Sequence, residues 1–197
     1  MKGFLKIAGK VTDWNVYKKA LIICDVTEMF INKYLPRNSR TVDQMRQAAR
    51  SCKQNIVEGV ADNTVSTEMC IKLLGVAKGS LRELGEDYYD FLRQQGYSAW
   101  GINDPRAMQA RQYCRTHDDV VEFMEKCRQR SAETVANIMR TQIFQLDAML
   151  AKVMRKYEAA FLAEGGIKEN MLRARLEQRS KGGLDYNFYK FYKTYLS

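Results

Sequence analysis

The stretch CIKLLGVAKGSLRELGEDYYDF, residues 70–91, decides the fold. Cys70, Leu74, Ala77, Leu81, Leu84, Tyr88 and Phe91 recur at alternating steps of four and three. That spacing keeps them on one side of an α-helix and is a heptad seam. A strand would need alternation by two. The predicted helix runs from about Ser66 to Gln95. Gly75 and Gly79 lie inside it. An interior glycine costs about 1 kcal/mol relative to alanine, so both are expected to permit close approach of another helix.

Upstream, TVDQMRQAARSCKQNIVEG, residues 41–59, has a second helical pattern. Met45, Ala48, Ala49, Cys52 and Ile56 form a small-residue core face. Thr41 and Gln44 have the spacing of a capping box, and Gly59 is expected to cap the far end. Arg46, Arg50 and Lys53 border the core face, and Asn55 sits at its other edge, placed to bond to another helix. A first helix is expected from a cap at Asp13 to about Leu35, where Pro36 ends it. It is apolar nearly all round, which demands burial on more than one side. A second subunit is the simplest source of that burial.

Downstream, GYSAWGINDPRAMQARQ interrupts the pattern. Asp104-Pro105 reads as an N-cap and first helical residue. Short helices are expected over about residues 106–113 and 118–129, then a long helix from about Ser131 to Ala163. The long helix carries Val135, Met139, Gln142, Leu146, Met149 and Val153 as its seam, and EGG stops it. Four long amphipathic helices imply an all-α, antiparallel up-down-up-down four-helix bundle. On this reading the bundle spans residues 1–164, with an insertion over about 101–130. Residues 165–197 form a C-terminal suffix, basic first and then aromatic.

The 197 residues carry 32 Lys and Arg against 23 Asp and Glu, a net charge of +9. Such a balance favours polyanionic partners. Five cysteines without close-spaced pairs fit a reducing compartment better than a disulfide framework. The start, MKGFLKIAGKVTDW, has no signal-peptide h-region, and the expected location is the cytoplasm.

At RQAARSCKQNIVEG, residues 46–59, and AKGSLRE, residues 77–83, the chain resembles a bacterial four-helix-bundle family. Its members include proteins encoded within intervening sequences of large-subunit ribosomal RNA genes. They also include the accessory variability protein of diversity-generating retroelements. The resemblance extends more weakly over residues 14–96 and 131–164. EGGIKENMLRARLEQR and the Trp100–Arg111 segment look like the subgroup with a C-terminal suffix. The resemblance implies a ring-shaped homopentamer with a basic surface. It also implies binding of nucleic acid, RNA or DNA, and of a reverse transcriptase.

The candidate phosphate ligands are Arg46, Arg50 and Lys53, and in the suffix Arg173, Arg175, Arg179 and Lys181. Their alternative role is a solvated flank, with Arg50 paired to a carboxylate. The tail from Tyr186 to Tyr195 either stacks on bases or packs on protein. Packing, with Leu184, Phe188, Phe191 and Tyr195 on one helical face, is preferred, because so many exposed aromatics would invite aggregation. Cys114, His117 and Cys127 lack a fourth ligand at zinc spacing, and His117 is expected to cap a turn. Glu58 and Glu83 are better read as capping and salt-bridging residues than as an acid pair. Walker A, G-x-G-x-x-G and paired Glu-x-x-His motifs are absent. The expected function is therefore non-enzymatic nucleic-acid binding by an oligomer, without cofactor or metal and without a membrane. The alternative is a protein-interaction or assembly scaffold whose charge is incidental.

Overall fold

A computed structural model describes residues 15–61 and 67–180. The described residues are all-helical: α1 (Asn15–Tyr34), α2 (Arg40–Ala61), α3 (Thr67–Gln94), α4 (Pro105–Thr116), α5 (Val120–Arg128), α6 (Ala132–Glu164) and α7 (Ile167–Ser180). The Asp13 cap, Trp14, Lys181, Gly182-Gly183 and the aromatic tail lie outside them.

The α3 seam is buried at every position from Cys70 to Phe91. Met45, Ala48, Ala49, Cys52 and Ile56 of α2 are buried too. α2 packs on α1 and α3, and α6 packs on the other sides of α1 and α3. The core therefore lies among α1, α2, α3 and α6. Phe30 of α1 occupies its aromatic part, with ring centroids 5.0 Å from both Tyr88 and Phe91 of α3. Beside it the Tyr88 hydroxyl lies 3.0 Å from Thr27 Oγ1, so this buried phenol is hydrogen-bonded. α7 belongs to none of the principal packing pairs.

The apolar circumference of α1 is covered within the chain. α5, from the insertion, packs against α1 beside α2 and α6. Lys33 Nζ and Tyr34 Oη donate to the carbonyls of Arg128 and Arg130, both at 2.6 Å. α1 thus does not itself require a second subunit, because an insertion helix fills that place.

Helix ends follow local chemistry. Asp104 caps α4, with Pro105 in its first turn, and accepts from the Arg106 amide at 2.8 Å. Asp119 and Ser131 cap α5 and α6. Gly165 ends α6 at φ +75°, a conformation that glycine adopts without steric cost. The α2 start differs from expectation. Arg40 is already helical, and the Thr41 amide donates to Ser39 Oγ at 3.3 Å. Ser39, rather than Thr41, is the capping side chain.

The glycines also exchange roles. Gly59 is buried inside α2 rather than capping it, and the Cys70 thiol donates to its carbonyl. A Cβ there would lie 3.2 Å from Leu73 Cβ and 3.4 Å from the Cys70 oxygen. Close approach of α2 and α3 occurs at this residue. A Cβ at Gly75 or Gly79 would meet nothing within 4 Å, so neither receives a neighbouring helix among the described residues. Gly75→Ala and Gly79→Ala should each stabilise the fold by up to about 1 kcal/mol through helix propensity. Gly59→Leu should instead destabilise it by about 1–3 kcal/mol through overpacking. Urea midpoints measure both directions. Destabilisation by the two alanines would show that another chain packs on that stripe.

Candidate nucleic-acid interface

The predicted cations differ in their surroundings. Arg46 is held in a fork by Glu28 of α1, with Nε–Oε2 2.9 Å and Nη2–Oε1 3.1 Å. Its Nη1 also lies 3.2 Å from Asp43 Oδ1. The hydrogen bond from Arg46, with a second from Asn32, holds the Glu28 carboxyl below its usual range. Arg46 thus joins α2 to α1 and has its charge already matched. The carboxylate pairing expected at Arg50 falls on Arg46 instead.

Lys53 is half-buried, and its charge acts on the Cys24 thiol across the same interface. Burial outweighs that lysine and raises the thiol pKa, so Cys24 stays neutral. Arg50 is exposed and has no ion-pair partner among the described residues. Asn55 does not cross to another helix, since its Nδ2 donates back to the Ser51 carbonyl at 2.9 Å. The cross-helix bond is made by Ser51, whose Oγ lies 2.9 Å from Ser80 Oγ on α3.

In the suffix, Arg173, Arg175 and Arg179 are all exposed on α7. Arg175 and Arg179 are four residues apart and share one side of the helix, whereas Arg173 projects elsewhere. Arg173 Nη1 reaches Asn170 Oδ1 only at 3.5 Å. Met171, Leu172 and Leu176 are also exposed, so α7 presents cations and apolar side chains together.

A second group of cations escapes the motif-based reading. Lys152, Arg155 and Lys156 are exposed on the last turns of α6, just before α7. They have no ion-pair partner among the described residues. Their spacing of three and four places them on one helix side, a signal already present in the sequence. Acidic character lies on α3. There Asp87 is half-buried, and burial with the neighbouring Asp90 and Glu83 charges pushes its carboxyl up to about 6.

Cys114, Cys127 and His117 have other roles. Burial pushes both thiols up to about 12, which keeps them protonated and poor as ligands or nucleophiles. His117 caps the end of α4, its amide bonding to the Tyr113 carbonyl at 3.0 Å, and its ring stacks on Tyr113 at 3.9 Å. No helix among the described residues is long and apolar enough to cross a membrane. No protein-family model, curated protein or solved structure matches the chain.

Proposed function

We propose that the protein is a non-enzymatic nucleic-acid-binding factor whose interface is the end of α6 and α7. The observation that carries this reading is the run of exposed cations Lys152, Arg155, Lys156, Arg173 and Arg175. They lack carboxylate partners among the described residues, in contrast to Arg46. Such cations meet phosphates without competing for an internal ion pair and release counterions on binding. Arg50 and Arg179 are further exposed contributors. α1, α2, α3 and α6 serve as an antiparallel up-down-up-down bundle that holds this surface. Assembly as a homo-oligomer, a pentamer by family resemblance, repeats a modest patch and raises avidity without enlarging it. A reverse transcriptase is the protein partner that the resemblance implies, with the cytoplasm as the compartment.

Anisotropy titrations with labelled RNA and DNA strands over a salt series test this function. Replacing Arg155, Lys156, Arg173 and Arg175 together by glutamine should weaken binding. The log–log salt slope should fall by about 0.7–0.9 for each phosphate no longer neutralised. Arg46→Gln should leave the slope unchanged and lower stability instead. An unchanged slope in the quadruple variant would remove this surface from the function. Light scattering tests the oligomer, which should weigh a whole multiple of the 22.8 kDa chain.

The exposed Met171, Leu172 and Leu176 favour a second reading, in which α7 docks a protein. In that case Leu172→Ser with Leu176→Ser abolishes partner capture, and the cation substitutions do not.

A further inference from the structure

The insertion does more than cover α1. It closes a cleft of about 500 Å³ between α4, α5 and α6, a size in the range of small-ligand sites. Trp100, Phe123 and Ile138 supply apolar wall, and Arg106, Lys126 and Arg130 supply charge. Among the described residues no carboxylate-bearing side chain lines it. Cys127, also in the wall, is held neutral by burial and adds no competing negative charge.

The wall is fixed from behind. The Trp100 amide donates to Asn137 Oδ1 at 2.8 Å, and Asn137 Nδ2 donates to the Ser98 carbonyl at 3.0 Å. The Trp100 indole N–H is itself buried, with no acceptor among the described residues. Arg106 lies over the Trp100 ring at 5.2 Å and is oriented by Asp104 at 2.8 Å. Lys126 Nζ lies over Tyr113 at 4.3 Å and 3.2 Å from Glu122. The Arg130 side chain has no ion-pair partner among the described residues. Planar groups and cations thus converge on one concave site, with two of the cations held in place.

We propose that this cleft binds a planar organic anion, a nucleoside monophosphate taken free or as the unpaired end of a strand. The base lies along Trp100, and the phosphate meets Lys126 and Arg130. The α6–α7 surface is not required, so either site can fail without the other.

The chain has two tryptophans, so Trp14→Phe makes Trp100 the sole indole reporter. Titrating this variant with AMP should change Trp100 emission saturably. Adenosine alone and inorganic phosphate alone should bind at least about tenfold more weakly, a difference of roughly 1.4 kcal/mol or more. Lys126→Met with Arg130→Met should abolish the AMP response while far-UV circular dichroism stays helical. A 5′-phosphorylated trinucleotide that binds more tightly than AMP assigns the site to strand ends, and equal affinity assigns it to free nucleotide. No saturable change at millimolar AMP overturns the proposal. So does an unaltered response in the double variant, or phosphate binding as tightly as AMP.

Discussion

Phe30→Ala should remove about 3–5 kcal/mol of folding stability, the range for truncating a fully buried phenylalanine. Phe30 is 0% exposed. Its ring meets Tyr88 at 60° and Phe91 at 83°, edge-on arrangements that suit aromatic quadrupoles. Tyr34 adds a third ring neighbour at 5.2 Å. The side chain joins α1 to α3 across the core, so collapse around the cavity would require two helices to move. Domains have about 5–15 kcal/mol in total, so this one change consumes a large share. The urea midpoint should fall sharply with little change in slope. Phe30→Leu, which keeps most of the volume, should cost far less. A decrease below about 1 kcal/mol for the alanine variant would place the cooperative core elsewhere.

The sequence made the helical periodicities legible because they belong to each segment alone. The α3 seam, the α2 small-residue face and the cap at Asp104 depend on local spacing and side-chain reach. What escaped depends on the rotation and neighbours of each helix. Gly59, Gly75 and Gly79 look alike in a helical pattern, yet only Gly59 faces another helix at close range. Ser39 and Thr41 both carry hydroxyls, and the choice of cap rests on where the backbone turns helical. Arg46 reads as an outward cation because Glu28 lies eighteen residues away on another helix. Within the candidate interface, α7 is legible as a basic segment. Lys152, Arg155 and Lys156 are spaced just as plainly, but they sit in a helix whose apolar seam dominates its pattern. The cleft has no local signature, since its wall comes from three helices and two connections.

A buried cation is among the groups that dock the insertion, and Lys19→Met should therefore have a second large effect. Lys19 is only 8% exposed. Its ammonium donates to the Cys114 carbonyl and, at 2.8 Å, to Gln142 Oε1. Cys114 lies in the last turn of α4, where carbonyls have no intrahelical donor and the helix dipole is negative. The lysine from α1 thus ties the end of α4 to α1 and α6. Methionine keeps most of the stem but leaves two buried acceptors unpaired, at about 1–3 kcal/mol each. A net destabilisation of about 3 kcal/mol is expected, with faster amide exchange in α4 and a weaker AMP response in the cleft that α4 helps to wall. Burial lowers the Lys19 pKa against the opposing pull of Cys114 and Asp118. The folded state therefore releases this proton at lower pH than the unfolded state. Below the folded pKa both states are protonated and the burial penalty is present in full. As pH rises from there towards 10.5, the unfolded chain binds more protons and the wild type gains stability relative to Lys19→Met. A difference that shrinks with pH would reverse the sign of the shift. A variant more stable than wild type would show that apolar packing at Ala107 and Ala110, rather than Lys19, docks the insertion.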